Sequence, residues 1–261
     1  MIGRDADARS PRARSARWLR SLIDGVLCVV IAPDCPACHR PLESPTRSAV
    51  CEACWSSVPL LTPPLCELCS APLASWRQAS LLSGRCPVCR RVPRLLDAAR
   101  AAGDYGGSLR EILHAFKYGR MRSIAGRLAD LMRREGDTIL SDADAVVPVP
   151  LHASRRRTRG FNQAADLAAR LGPPLVHALR RVRRTSPQTD LSAAQRRANV
   201  RGAFAARRRA HSLVEGRTVV LVDDIWTTGA TLEACAATLR QAGAVQVRAI
   251  TAARVTRPPR P

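Results

Sequence analysis

Residues 219–231 read VVLVDDIWTTGAT, and this stretch decides the fold of the chain. Its first four residues are apolar and three of them are β-branched, which is typical of a strand buried on both faces of a parallel sheet. Asp223 and Asp224 come where that strand is expected to end, and a turn rich in Thr and Gly then leads into an apolar-periodic helix over residues 232–242. This order predicts an α/β domain with a ligand site at the carboxyl end of the strand.

The turn and the acidic pair favour different parts of a ligand. The TTGAT turn brings backbone N–H groups and hydroxyls together at a helix N-terminus, where the helix dipole favours a phosphate. The two carboxylates repel that phosphate, so we expect them to face neutral hydroxyls or a metal ion. Together they predict a phosphorylated sugar. A Walker-type phosphate loop is excluded, because the chain contains no Gly-x4-Gly-Lys-Ser/Thr.

This arrangement resembles the PRPP-binding motif of type I phosphoribosyltransferases (PRPP is 5-phosphoribosyl 1-pyrophosphate). The resemblance implies that Asp223 and Asp224 hold the ribose hydroxyls. It also implies that the 5-phosphate lies in the turn formed by Thr227, Thr228, Gly229, Ala230 and Thr231. The alternative is an unrelated α/β domain in which the carboxylates cap a loop beside an accidental TTGAT.

Eight of the ten cysteines form four Cys-x-x-Cys pairs, namely Cys35/Cys38, Cys51/Cys54, Cys66/Cys69 and Cys86/Cys89. Two such pairs separated by a dozen or more residues supply four thiolates, the ligand set of structural zinc. Sequential pairing predicts two zinc ribbons in tandem, while a cross-braced pairing stays open. Iron–sulfur ligation, redox pairs and disulfides are weaker alternatives. We expect His39 to be a bystander, and Cys28 and Cys235 to be small buried apolar residues.

Composition divides the chain into three parts. Residues 1–33 predict a disordered basic leader (1–15) and an amphipathic helix (17–31) that docks on the protein, with a membrane-surface helix as the alternative. Residues 34–92 are the double zinc ribbon, in which metal replaces a large core. Residues 93–261 form the α/β domain. No transmembrane segment or export signal is expected, and zinc-ligating thiols predict a cytoplasmic protein.

Within residues 93–261, the periodicity predicts a parallel sheet flanked by helices. The predicted strands cover residues 99–105, 145–150, 175–182, 219–222 and 245–250. The predicted helices cover residues 108–118, 124–134 and 162–171, with a capping box of Ser108 and Glu111 at the first. The polar stretch 183–204 is expected to be a mobile loop over the site.

The formal net charge of +21 is almost all arginine, since Lys117 is the only lysine. This charge favours a polyanionic partner, although biased genome composition is a second explanation. Arginines crowded between a strand and a helix at 151–163 predict a second anion site, in which Arg155 and Arg159 serve a pyrophosphate. The lone lysine leads to the hypothesis that Lys117 lines the same cleft as the acidic pair.

The chain as a whole resembles the ComF family, which includes the GntX-type proteins. The matching pieces, in order over residues 18–254, are the Cys-x-x-Cys ribbons, Tyr105-Gly106, Leu109-Arg110, Phe116-Lys117-Tyr118, Pro148-Val149-Pro150-Leu151, Arg159-Gly160-Phe161-Asn162-Gln163, Thr185, Gln188, Leu191, Arg196, Asn199, Phe204 and the acidic pair with its turn. Trp226 departs from the pattern, where a smaller Tyr or Phe is expected, and its predicted effect is on the rim of the ribose pocket.

The family resemblance implies a type I phosphoribosyltransferase-like domain that binds PRPP with Mg²⁺, and a role in natural competence. Catalytic roles would fall to Asp223, Asp224 and Arg159, and the implied partners are single-stranded DNA and DNA-uptake proteins. Three classes stay open: a phosphoribosyltransferase with an unknown acceptor, a DNA-processing factor with little catalysis that uses the PRPP site as a sensor, and an interaction protein.

Overall fold

The structure is a computed structural model that describes residues 11–81, 83–183 and 193–256. The strands within these ranges are β1 (Ala98–Asp104), β2 (Ala145–Pro148), β3 (Leu179–Arg181), β4 (Phe204–Ala206), β5 (Thr218–Trp226) and β6 (Gln246–Arg254). The helices are α1 (Pro11–Val30), α2 (Glu52–Ser56), α3 (Trp76–Leu81), α4 (Pro87–Arg91), α5 (Gly107–Tyr118), α6 (Ile124–Glu135), α7 (Asp137–Leu140), α8 (Ala153–Arg159), α9 (Gln163–Ala168), α10 (Ala193–Val200), α11 (Ala210–Val214) and α12 (Ala230–Gln241).

Four strands form a parallel sheet in the order β1-β6-β5-β2, and helices pack on both of its faces. The predicted fold class is therefore confirmed. The strand alternation divides the core in two. Val219 and Leu221 face α12 in one half, whereas Val220 and Val222 face α5, α6 and α9 in the other.

The central strand is longer than the sequence predicts. β5 continues through the acidic pair to Trp226, so Asp223 and Asp224 lie within the strand rather than after it. The reason is its neighbour: β6 runs to Arg254 and pairs Thr251 with Asp223 and Arg254 with Trp226.

The Cys-rich segment covers the edge of the sheet at β1. The amide of Ala99 donates to Glu67 O, that of Asp104 donates to Pro59 O, and that of Ala101 donates to the Ser70 hydroxyl. These bonds satisfy donors that an open edge strand would leave unpaired. The segment is thus hydrogen-bonded to the sheet as well as packed beside it.

Residues 175–206 differ most from the predicted pattern. Only β3 is a strand within residues 175–182, and it pairs antiparallel with β4 in a separate two-stranded sheet. Leu175 makes a single parallel bridge to Val146 of the main sheet. The predicted mobile loop contains the helix α10, while residues 184–192 lie outside the described ranges.

The predicted capping box at Ser108 is wrong. The N-cap of α5 is Gly106, which places Ser108 inside the first turn. Its hydroxyl is buried there and has no hydrogen-bond partner among the described residues. The two glycines before Ser108 let the helix begin two residues earlier than the capping pattern requires.

The predicted N-terminal helix is present, but it begins at Pro11, so residues 11–15 are helical rather than disordered. Residues 1–10 lie outside the described ranges. The predicted docking of its apolar face is wrong, because Trp18, Val26 and Val29 are exposed. In the described part of the chain, no helix is long and apolar enough to cross a membrane.

Candidate functional site

A cleft of about 980 Å³ opens at the carboxyl edge of the parallel sheet. Residues that follow each of the four strands line it, including Tyr105 after β1, Val149 after β2, Thr227 after β5 and Val255 after β6. This is the edge at which the sequence predicts the ligand site.

The acidic pair lies at the centre of this cleft, with its two carboxylates on opposite sides of β5. Asp224 points towards α5, where the Lys117 ammonium lies 3.0 Å from Asp224 Oδ1. Both side chains are largely buried, with 14% and 13% of their surfaces exposed. Asp223 accepts a hydrogen bond from the Asp224 amide at 2.9 Å. Lys117 therefore lies where the sequence hypothesis places it, whereas its role towards a ligand stays a prediction.

The surroundings of Asp223 disfavour the charged form of its carboxyl group. Burial, followed by the neighbouring charge of Asp224, raises the pKa of Asp223 to about 7. The Lys117 and Arg181 charges oppose this shift without cancelling it. A hydroxyl donor or a cation reaching Asp223 would favour its charged form.

The predicted phosphate turn ends in a left-handed glycine at the N-terminus of a helix. Gly229 has a φ of +78°, in the left-handed region, and α12 begins at the next residue. Thr227, Gly229 and Thr231 line the cleft. Thr228 and Ala230, which the sequence also predicts as ligands, are not among the lining residues, and Ala230 is buried.

Trp226 packs against this turn and also lines the cleft, so its expected effect on the rim of a ribose pocket stays a prediction. Its side chain is 2% exposed, and a Cβ added at Gly229 would lie 2.7 Å from its Cζ2 atom. The Arg254 guanidinium lies over the Trp226 indole, 5.3 Å from the ring centroid. The larger aromatic ring thus supports the turn from below.

Arginines surround the acidic pair. Arg155 and Arg159, one helical turn apart on α8, both line the cleft. Arg159 donates to Gln163 Oε1 at 3.2 Å and stacks 5.2 Å from the Tyr118 ring centroid. The structure brings both of these predicted residues to the same cleft as the aspartates.

Arg181 is a cleft residue that the sequence reasoning missed. It comes from β3, and its guanidinium lies 5.2 Å from the Phe204 ring centroid. Burial, and then the charge of Arg155, lower the pKa of Arg181, which shows how densely positive charge is packed here. Nothing in the local pattern sets it apart, because two further arginines, Arg180 and Arg183, flank it within two residues.

The four Cys-x-x-Cys pairs form two groups, each made of two pairs that are consecutive in sequence. The pairing that the sequence leaves open is therefore sequential and not cross-braced. The groups are Cys35, Cys38, Cys51 and Cys54, and Cys66, Cys69, Cys86 and Cys89, with all four sulfurs in each within 4.8 Å of one another. Cys38 and Cys51 Sγ are 3.7 Å apart, as are Cys69 and Cys86 Sγ. Zn–S bonds of about 2.3 Å in a tetrahedron place sulfurs about 3.8 Å apart.

Hydrogen bonds and burial also agree with four thiolates around a zinc ion in each group. The amides of Cys51 and Cys86 donate to Cys35 Sγ and Cys66 Sγ, which would stabilise thiolates. Both groups therefore fit a double zinc ribbon. His39 lies outside both of them. Cys235 is fully buried as predicted, whereas Cys28 is half-buried and donates to Leu42 O.

Comparison with known proteins gives matches in sequence and in structure. Residues 157–260 match the Phosphoribosyl transferase domain family. The DNA utilization protein YhgH of Salmonella typhimurium is 34% identical over 228 residues, which cover 82% of this chain and 93% of that protein. Competence protein F of Haemophilus influenzae is 30% identical, covering 77% of this chain and 89% of that protein. A purine phosphoribosyltransferase from Pyrococcus horikoshii is 16% identical, with a TM-score of 0.31 over 51% of this chain and 83% of that one.

Proposed function

The chain belongs to the ComF family, and from that premise we propose that its cleft binds PRPP or a related ribose 5-phosphate. One observation carries this proposal: an acidic pair and a left-handed glycine turn at a helix N-terminus share a cleft whose other charged residues are cations. This arrangement separates a hydroxyl-binding half from a phosphate-binding half, as a phosphorylated sugar requires.

Each part of the ligand has a group in the cleft suited to it. The 5-phosphate would accept hydrogen bonds from the turn around Gly229 and from the Thr231 hydroxyl. The ribose hydroxyls would donate to Asp223 and Asp224. A pyrophosphate would meet Arg155, Arg159 and Arg181, whose planar guanidinium groups bind phosphate oxygens in pairs.

Mg²⁺ fits this site by the chemistry of its donors, since carboxylates and phosphate oxygens are the ligands it prefers. Asp223 and Asp224 are the residues that would hold it, directly or through water, and bound Mg²⁺ would neutralise pyrophosphate charge. The protein's own contribution to transfer would be to fix the ribose and stabilise the negative charge developing on the leaving pyrophosphate.

Isothermal titration calorimetry with PRPP and Mg²⁺ tests the binding proposal. We expect Asp224→Asn and Thr231→Val to weaken PRPP binding about tenfold or more, because each removes a ligand contact. Lys117→Arg should also weaken it, since a guanidinium does not fit the buried space of an ammonium. Asp130→Asn, on the exposed surface of α6, is the matched control and should bind as the wild type does.

Two results would contradict the assignment. One is the absence of heat and of any thermal shift with millimolar PRPP and Mg²⁺ for the wild type. The other is unchanged affinity in both Asp224→Asn and Thr231→Val. Release of pyrophosphate in a screen of acceptors would distinguish a transferase from a protein that only binds the ligand.

We further propose that the two four-cysteine groups hold structural zinc.

We also propose that the protein takes part in handling DNA during natural competence. The relatives' names motivate this proposal, and one feature of this chain favours it. Arg180, Arg208 and Arg209 line a groove of about 810 Å³ together with Arg207 and His177. The first three form no ion pair with any residue that the structure describes. Clustered cations without counterions favour a polyanion such as single-stranded DNA.

Salt dependence tests this partner. Neutralising Arg180, Arg208 and Arg209 with glutamine should weaken binding of a single-stranded oligonucleotide and reduce the slope of log affinity against log salt by about 2. Arg122, Arg127 and Arg133 are ion-paired and at least 40% exposed, so glutamine at those three positions gives a charge-matched control. Equal loss in both triple variants would mean that net charge alone acts.

A further inference from the structure

The helix α1 carries its apolar side chains on the side that faces away from the protein. At about 100° per residue, Trp18, Leu19, Leu22, Ile23, Val26, Val29 and Val30 fall within an arc of about 140°. All seven are exposed, from 43% for Ile23 to 85% for Val29. An amphipathic helix of a soluble domain normally turns such an arc towards the core.

The opposite side of α1, which contacts the protein, is held by polar groups. Asp24 is buried there, and its Oδ1 accepts a hydrogen bond from the Thr46 amide at 2.9 Å. Cys28 Sγ lies 3.1 Å from Leu42 O on the same side. These two contacts fix the rotation of the helix about its axis, so the apolar arc points outwards.

The rest of this chain offers nothing to cover the arc. Apart from the single residue 82, the segments outside the described ranges are 1–10, 184–192 and 257–261. They read MIGRDADARS, RTSPQTDLS and RPPRP, and none contains a run of apolar residues. Residues 1–261 therefore supply no apolar segment to cover the arc.

Charge decides between the possible partners. The helix contains Arg12, Arg14, Arg17 and Arg20, and its single acidic residue, Asp24, is buried against the protein. Two copies of the helix would each carry this net positive charge, and like charges oppose association. An anionic membrane offers apolar depth to the arc and negative headgroups to the arginines, and Trp is a side chain suited to the interface.

We propose that α1 lies in the surface of an anionic lipid bilayer, with its Trp18 to Val30 arc inserted and its Asp24 side attached to the protein. The helix does not cross the membrane; it anchors the protein parallel to it. A single amphipathic helix of this kind gives reversible binding that depends on both apolar contact and charge.

Sedimentation of the zinc-loaded full chain with vesicles tests this inference. The vesicles are pure phosphatidylcholine, or equal parts phosphatidylcholine and phosphatidylglycerol. We expect the wild type to bind the mixed vesicles with a blue shift of tryptophan emission, and to bind the neutral vesicles at least tenfold less. Val26→Glu should reduce binding to mixed vesicles about tenfold.

Val245→Glu is the matched control, because Val245 is 65% exposed and Val26 is 61% exposed. It adds the same charge away from α1 and should leave vesicle binding unchanged. The inference fails if Val26→Glu and Val245→Glu bind alike, since adsorption then follows overall charge. It also fails if the wild type is a dimer that Val26→Glu dissociates, because the arc would then be covered by a second copy.

Discussion

At the scale of single residues, the two carboxylates of the cleft differ in whether a neighbouring charge offsets theirs. Lys117 and Asp224 offset each other's charge in a mostly buried ion pair. Asp223 has no such direct partner among the ion pairs of the described residues, and burial and the neighbouring charge of Asp224 raise its pKa. A carboxylate placed this way destabilises the unliganded fold, and a ligand that satisfies it recovers that free energy.

Asp223→Asn should therefore stabilise the unliganded protein while removing a ribose contact. Because the folded pKa of about 7 exceeds the usual Asp value, the folded state binds its proton more tightly than the unfolded state does. The destabilisation is absent below about pH 4, grows as the pH rises towards 7, and is complete above it. At pH 8 we expect Asp223→Asn to gain about 2 kcal/mol or more of unfolding free energy.

Thermal melts from pH 4 to pH 8 check this expectation. The melting temperatures of the wild type and Asp223→Asn should agree at the acidic end and separate at the basic end, whereas Asp130→Asn should follow the wild type throughout. A variant no more stable than the wild type at pH 8 would show that Asp223 is well satisfied without ligand.

Which site residues the sequence could predict depends on how local their signal is. Asp223, Asp224 and Thr231 follow one another in a single motif, and Lys117 is conspicuous as the only lysine. Arg181 depends on β3 pairing with β4, which is separated from it by more than twenty residues, so no short pattern marks it. Arg181 is therefore placed by the pairing of two strands that are distant in sequence.

At the scale of elements, the strand β5, the turn and α12 form one continuous unit. Gly229 sits over the Trp226 indole, and its left-handed φ lets the chain reverse into the helix. The sequence predicts all three parts, but it ends the strand too early. Strand length is set by the pairing partner β6, which residues 219–231 do not encode.

Gly229→Ala tests how much this contact matters, and Gly160→Ala is a close control. Both glycines have a φ of +78°, but a Cβ at Gly160 meets nothing within 4 Å, whereas one at Gly229 overlaps Trp226. Gly160→Ala should cost about 1 kcal/mol, from the backbone conformation alone. Gly229→Ala should cost a further 1–3 kcal/mol, roughly, from overpacking.

Urea unfolding of the two variants measures this difference directly. PRPP affinity should also fall in Gly229→Ala, because the turn must move away from the indole. If both variants lose the same free energy of unfolding, the Trp226 side chain can move aside without destabilising the protein. The contact with Trp226 would then not determine the shape of the turn.

At the scale of the whole molecule, the double ribbon and the α/β domain share their cores. Cys35, Cys54 and Trp55 pack in the half-core that contains Val220 and Phe116. Cys66 and Cys89 pack in the other half, with Leu221 and Leu239. The boundary predicted at residues 92 and 93 marks a change of composition, but packing and hydrogen bonds continue across it.

Removing zinc should therefore weaken the sheet as well as the ribbons. The zinc-loaded protein should contain about two zinc ions by elemental analysis and unfold in one calorimetric transition. After chelation, amide hydrogen exchange should accelerate in β1, whose Ala99, Ala101 and Asp104 amides bond to the Cys-rich segment.

The amides of β5 provide the internal control, because that strand is paired on both sides within the sheet. If zinc loss is local, exchange rises in residues 34–92 while β1 stays as protected as β5. If the cores are coupled, β1 loses protection first and the melting transition moves down as a whole. Two separate transitions in the zinc-loaded protein, or bound iron in place of zinc, would contradict the coupling or the metal assignment respectively.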